Sequence, residues 1–304
     1  MKKFGFTLPL LLTAALNGAV LEEWPLASQR CTELGDVKIL DAKELAASPK
    51  ERADFSGISD ITYDSRNGLL YGVSDNGLLY VMRAKIGKKR IKALEIVRLE
   101  ELKGKNGKPL KGKKMLDAEG LDILDKGLIV SFERRPRIAL FDTYGRMIRK
   151  VELPKPLRKR SNYRGKNKML EAVVFHPDFG ILSAPEIALK KEDRKKHTIY
   201  GKNIRFEMAA NGSLTAMALT KKGNILILER DFDPLFRDRV ITLSLLNPER
   251  GSVKRLAELR SEDGWNLDNF EGLTHVEANR FLMISDDNDN PLQSVVLVLL
   301  EIRE

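Results

Sequence analysis

A short apolar strand, a turn and a second strand ending in an acid recur five times along this chain. The copies are DITYDSRNGLLYGVSD (60–75), EGLDILDKGLIVSFE (119–133), EAVVFHPDFGILSAPE (171–186), TAMALTKKGNILILE (215–229) and EGLTHVEANRFLMISD (271–286). Repeats of this size stack on one another, because a lone unit cannot bury its own apolar surface. Two further strand-like runs follow most units: LLYVMRAKI (78–86) and ALEIVRLEEL (93–102), RIALFD (137–142) and MIRKVELP (147–154), RVITLSLL (239–246) and VKRLAEL (253–259). The third unit is followed by the weaker HTIYG (197–201) and IRFEM (204–208). These runs are rich in Val, Ile, Leu, Phe and Tyr and are separated by turn residues, and no long 3.6-residue period competes with them. Four strands per unit, repeated radially, predict an all-β fold, a β-propeller.

The chain ends support a closed ring. After Asp286 only SVVLVLLEI (294–302) remains, so the last blade lacks its outer strand, while a spare strand, VKILDAKEL (37–45), precedes the first unit. Donating the spare strand to the last blade hides both open edges. The expectation is therefore five blades of four strands; a six-bladed ring would need a sixth unit.

Met1-Lys2-Lys3, the apolar run Phe4 to Leu16 and the small residues that follow have the plan of a secretory signal peptide, too short to span a membrane. Cleavage is expected after Ala19. This divides the chain into a signal at 1–19, a lead at 20–36 and the propeller at 37–304, and implies an exported protein, periplasmic or secreted. The single Cys31 has no internal disulfide partner. The excess of basic residues, 53 Lys and Arg against 43 acids, is concentrated in blocks at 103–114, 155–168 and 190–205. Such blocks attract anions, or else form solvated mobile loops. Few aromatics are interleaved with them, which argues against a nucleic-acid partner.

The acids carry the functional reading. Units close on Asp75, Glu133, Glu186, Glu229 and Asp286, and three open on Glu119, Glu171 and Glu271. In a propeller the first strand of each blade lines the channel and the second returns to the same face, so both sets are expected at one mouth. Carboxylates gathered there repel one another and call for a cation. Oxygen ligands without cysteine favour Ca²⁺, or Mg²⁺ as the alternative. The run Asp286-Asp287-Asn288-Asp289-Asn290 and the Asp231-Phe232-Asp233 stretch add further oxygens, although neither has the glycine and final glutamate of an EF-hand loop. Serine-hydrolase, zincin and phosphate-loop motifs are absent from the chain. Of the three histidines, His275 is the strongest candidate for a ligand or base; His176 sits at a turn and His197 in a basic run.

The strings FSGISDITYD…LLYGVSDNG, DAEGLDIL…GLIVSFERRPRI, ILILERDF and NFEGLTHVEANRFLMISDDNDNPLQ resemble the phytase-like family of exported proteins, whose domain is described as the "esterase-like activity of phytase". The resemblance runs from about Val37 to Ile302. It implies a phosphoesterase-type activity and places the family's recurrent acids on Asp75, Glu119, Glu133, Glu229, Asp231, Glu271, Asp286 and Asp287. The third unit departs from the pattern, with LEAVVF and SAPE around Glu171 and Glu186.

Together these readings nominate Glu119, Glu271 and Arg134 for catalysis. Arg135, Arg137 and Arg230, which also follow strand-end acids, are nominated to clamp substrate phosphate. Asp75, Glu133, Glu229, Asp231, Asp286 and Asp287 are nominated to hold the metal. The other reading is a non-catalytic propeller, stabilised by Ca²⁺, that binds a protein or small ligand.

Overall fold

The computed structural model describes residues 20–26, 32–46, 57–233, 238–287 and 293–304. The expected signal peptide, Cys31 and the Asp289–Asn290 part of the acidic run lie outside the described residues. Three strands come first: β1 (Val20–Glu23), β2 (Glu33–Leu34) and β3 (Val37–Ala46). Blade 1 is β4 (Ile58–Asp64), β5 (Leu69–Ser74), β6 (Leu78–Ile86) and β7 (Ile91–Glu101). Blade 2 is β8 (Ala118–Leu124), β9 (Gly127–Phe132), β10 (Arg137–Phe141) and β11 (Met147–Val151). Blade 3 is β12 (Leu170–His176), β13 (Gly180–Pro185), β14 (Lys196–Tyr200) and β15 (Arg205–Ala209), so the weak third unit completes its four strands. Blade 4 is β16 (Ser213–Leu219), β17 (Ile225–Asp233), β18 (Asp238–Asn247) and β19 (Ser252–Arg260). Blade 5 holds β20 (Phe270–Glu277), β21 (Arg280–Ser285) and β22 (Val296–Ile302).

The fourth strand of blade 5 is β3, paired antiparallel with β22 from Val296↔Glu44 to Ile302↔Val37. The ring is therefore a five-bladed propeller closed by the N-terminal strand. The residues expected as a lead do more than precede it: β1 pairs with the outside of β3 (Val20↔Ala46 to Glu23↔Lys43), and β2 also pairs with β3. No helix among the described residues is long and apolar enough to cross a membrane.

The core is divided as the ring is, into five apolar clusters, one between each pair of adjacent blades. Successive residues of a strand point to opposite faces. Thus Leu128, Val130 and Phe132 of β9 pack toward blade 1 while Ile129 packs toward blade 3. Likewise Leu226 and Leu228 of β17 face blade 5, and Ile225 and Ile227 face blade 3. Burial on both faces explains why these strands read as continuous apolar runs.

Buried polar groups join neighbouring inner strands where no sheet partner exists. Asp60 accepts from Leu121 N of blade 2 at 2.8 Å, Leu273 N of blade 5 at 3.1 Å and its neighbour Ile61 N at 2.8 Å. Asp122 accepts from Phe175 N of blade 3 at 2.7 Å, and Thr274 Oγ1 accepts from Tyr63 N of blade 1 at 2.9 Å.

Candidate functional site at the channel mouth

One irregularity is repeated in all five blades. The pairing of first and second strands slips near its start, between Ile58 and Asp60, Ala118 and Leu121, Leu170 and Val173, Leu214 and Ala216, and Phe270 and Gly272. A bulge places an extra residue in one strand and re-aims a side chain. The residues at this position are Ser59, Glu119, Glu171, Thr215 and Glu271, and all but Thr215 line a cavity of about 270 Å³ at the mouth. The glycines after Glu119 and Glu271 are required by close approach. A Cβ on Gly120 would stand 2.5 Å from Glu171 O, and one on Gly272 would stand 3.1 Å from Asp60 Cα. The Glu-Gly pair thus lets the next blade's backbone pass against the bulge.

The second strand supplies the other half of the ring. Ile58 pairs with Ser74, Ala118 with Phe132, Leu170 with Pro185, Leu214 with Glu229 and Phe270 with Ser285. The next residue in each case reaches the mouth: Asp75, Glu133, Glu186, Arg230 and Asp286, all of which line the cavity. In blade 4, then, the ring position belongs to Arg230, and Glu229 is one residue too early. Glu229 is fully buried, accepting from Asn211 N at 2.7 Å and Asn211 Nδ2 at 3.0 Å, with His197 Nε2 at 3.2 Å.

Several other nominated residues also lie outside the cavity lining. Asp231 is exposed and accepts from Phe232 N. Asp287 accepts from Gly57 N at 2.8 Å, tying blade 5 to the start of blade 1. Arg134 clamps Asp117 through its backbone N (2.8 Å) and Nε (3.2 Å). Arg135 is exposed, with Nη1 3.4 Å from Met115 Sδ. Arg137 is buried over the Phe132 ring, 3.5 Å from its centroid, and donates to the carbonyls of Lys114, Met115 and Arg135. No histidine lines the cavity: His275 bonds Ala278 O, His176 bonds Gly223 O, and His197 is buried against Glu229.

The acids that do converge form two overlapping groups. Oxygens of Asp117, Glu119 and Glu133 lie within 4.8 Å of one another, as do those of Glu133, Glu171 and Glu186. Glu133 belongs to both and accepts from Met169 N at 2.9 Å. Asp117, which the repeat pattern did not single out, precedes the bulge of blade 2; the D-x-E spacing of Asp117 and Glu119 was its only sequence signal. Asn167 and Lys168 also line the cavity from an irregular loop, and Lys168 Nζ bonds Glu186 at 2.8 Å.

The electrostatics divide the mouth. Burial, followed by the charges of Asp117, Glu271, Glu133 and Asp75, holds the Glu119 carboxyl well above the ordinary carboxylate range. Burial and then Glu119, Glu186, Glu271 and Glu133 do the same to Glu171. Glu133 is pushed up to about 7, by burial first and then by Asp117 and Glu186, against the pull of Met169 N–H. Across the mouth, Arg230 bonds Glu271 at 2.6 Å and Asn269 Nδ2 bonds the same carboxylate at 2.9 Å. Burial still leaves the Glu271 pKa raised, with Arg230 opposing the shift. Asp117 lies in hydrogen-bonding contact with Glu133, and Glu271 with Asp286. Such contacts between two carboxyl groups require a shared proton or a cation. Glu171 is 7% exposed; its backbone carbonyl accepts from Ser131 Oγ, but its carboxylate receives no hydrogen bond from any described residue. This donor set, all oxygen with excess negative charge, fits a hard divalent cation.

The family model described as Phytase-like, "Esterase-like activity of phytase", matches residues 53–289, most of the chain. The chain belongs to the Phytase-like family. No curated protein sequence matches it. Among solved structures, the β-propeller domain of Cps50 (Swd1) from Myceliophteria thermophila aligns at 10% identity and a TM-score of 0.41. That alignment covers 88% of this chain and all of that one. In this Phytase-like chain the acids of blades 1, 2, 3 and 5 meet at the mouth, and blade 4 contributes Arg230 instead.

Proposed function

We propose that this protein binds a divalent cation, Ca²⁺ or Mg²⁺, at the channel mouth and hydrolyses a phosphoric ester of a small anionic substrate there. The observation that carries the reading is the division of one cavity into an acidic side, blades 2 and 3, and a side bearing Arg230. Glu133, Glu171 and Glu186 would hold the cation, with Asp117 beside them. When bound, it would neutralise phosphate oxygens and lower the pKa of a coordinated water. Arg230 can exchange its bond to Glu271 for a phosphate oxygen, so that Glu271 and Arg230 act as a gatekeeping pair. Glu119, at the mouth and free of hydrogen-bond donors, is suited to carry a proton to or from a reacting oxygen. Arg134 acts through Asp117, as a positioning residue. The cationic and apolar plan of the first 19 residues supports reading the protein as exported.

The test is hydrolysis of p-nitrophenyl phosphate and its bis-ester after chelation, with Ca²⁺ or Mg²⁺ restored. Activity should depend on the ion and fall on the order of a hundred-fold or more in Glu133→Gln. No turnover with any divalent ion, or turnover that survives Glu119→Gln with Glu271→Gln, would exclude the reading.

A binding module without turnover is the second reading. It is favoured by the absence of histidine, serine or cysteine chemistry from the lining beyond Ser59. It predicts a cation-dependent rise in melting temperature with no hydrolysis.

A further inference from the structure

The basic blocks, read from the sequence as anion-attracting or as solvated mobile loops, are in two cases built structure. Residues 152–169 connect blade 2 to blade 3, and residues 186–195 connect β13 to β14. Leu157, Tyr163, Met169 and Leu189 root both connections in the core between blades 2 and 3. They are also stitched to each other: Lys190 N donates to Asn162 O at 2.8 Å, and Arg164 donates to Ala188 O at 3.0 Å and Glu192 O at 2.6 Å. Within the first loop, Asn162 Nδ2 donates to Pro156 O at 2.7 Å and Tyr163 Oη to Leu157 O at 2.8 Å; within the second, Glu192 N donates to Leu189 O at 3.0 Å.

This rigid pair of loops is strongly cationic. Lys155, Lys159, Arg160, Lys166, Lys190, Lys191, Arg194 and Lys195 are all exposed, and none has an acidic partner within ion-pair distance among the described residues. Arg158 and Lys168, by contrast, are paired with Glu152 and Glu186. Cations this numerous on ordered backbone repel one another, and an anionic partner relieves that repulsion.

The shape and chemistry of the platform narrow the partner. None of the eight residues lines either of the two main cavities, so the platform stands apart from the concave site that would take a compact soluble anion. Tyr163 and Tyr200 are buried, and His197 with them, leaving no ring on which a nucleic-acid base could stack. No large apolar side chain of these loops is exposed, so nothing would insert into hydrocarbon. Dispersed, exposed Lys and Arg on a firm support suit a flat anionic surface, where each contributes through the surface potential. We propose that this platform docks the protein on the phosphate headgroups of an anionic bilayer. Because Asn167 and Lys168 border both platform and cavity, docking sets the mouth beside the headgroup layer.

The experiment is co-sedimentation of the purified protein, in chelator, with phosphatidylcholine vesicles containing one part in three of phosphatidylglycerol. Vesicles of phosphatidylcholine alone serve for comparison. The protein should pellet with the anionic vesicles only, and release as salt is raised. A variant carrying Lys159→Gln, Arg160→Gln, Lys190→Gln and Lys191→Gln should bind roughly a hundred-fold or more weaker, at unchanged melting temperature. A variant with the same charge change on the blade 1 hairpin, Lys85→Gln, Lys88→Gln, Lys89→Gln and Lys92→Gln, should keep its affinity. Equal loss in the two variants would reduce the effect to net charge and overturn the proposal. So would binding to neutral vesicles, or binding to a DNA duplex with none to anionic vesicles. Since the assay uses no cation and no turnover, its result is independent of the hydrolase reading.

Discussion

Asp60 and Asp122 extend from the inner strands β4 and β8, as Glu119 and Glu171 do from β8 and β12, yet they live in a different environment. Each of the two aspartates receives backbone N–H groups from its own strand and from a neighbouring blade. Burial raises both pKa values, and those donors pull back; Asp122 is held at about 6. The Glu119 and Glu171 carboxylates have no such donors among the described residues and face other carboxylates instead. The contrast separates acids that assemble the ring from acids left needing a partner from outside. It teaches that burial alone does not mark a functional carboxylate, whereas burial without donors does.

The comparison breaks most sharply at Asp60. Asp60→Ala strands three buried N–H groups, and should lower unfolding free energy by about 3 kcal/mol or more in urea titration. A loss below about 1 kcal/mol would mean that the blade junction does not depend on this carboxylate.

Next in size is the pH response of the mouth. The Glu133 pKa lies near 7, above its ordinary 4.5, so the folded protein retains a proton that the unfolded chain releases. Its contribution to stability is complete below about pH 4.5 and is lost as pH rises toward 7. In chelator, stability should therefore decline across that window by roughly 2–3 kcal/mol. Saturating Ca²⁺ should remove most of the decline, because the cation replaces the proton. A flat profile in chelator would contradict the geometry around Glu133.

At alkaline pH, where this carboxyl is forced to ionise without donors, Glu171→Gln should stabilise the cation-free protein by about 1 kcal/mol. It should also abolish the melting-temperature rise on adding Ca²⁺. Smallest is Glu229→Gln, expected to cost about 1 kcal/mol through weakened bonds to Asn211 while leaving the Ca²⁺ response intact. Loss of that response in Glu229→Gln would return this residue to the site.

Much of this architecture was legible in the sequence. The hairpin repeat gave the blade count, and the unmatched strand at 37–45 revealed how the ring closes, because both follow from which apolar runs need partners. The convergence of the acids was legible for the same reason. What was not legible depends on register at the single-residue level. Glu229 ends its unit as Glu133 and Glu186 end theirs, but its strand pairing with Leu214 puts Arg230 at the ring position. Nothing local in ILILERD distinguishes the two. Arg134, Arg135 and Arg137 follow a ring acid as a phosphate clamp would, but the turn after Glu133 directs them to Asp117, Met115 and the Phe132 ring. Lys168 and Asn167 come from a non-repeating loop, which periodicity cannot see. The ordering of the basic connections was hidden as well, since it arises from Leu157, Tyr163 and Leu189 meeting the core between blades 2 and 3.

If the mouth carboxylates of blades 2 and 3 form a cation site, the protein binds Ca²⁺ through Glu133 and Glu171. Calorimetric titration of the chelator-treated protein with Ca²⁺ at pH 8, repeated on Glu133→Gln and Glu171→Gln, tests it most directly. Saturable binding by the unaltered protein, and its loss in both variants, is the expected result. Absence of binding by the unaltered protein, or undiminished binding by the two variants, would contradict it.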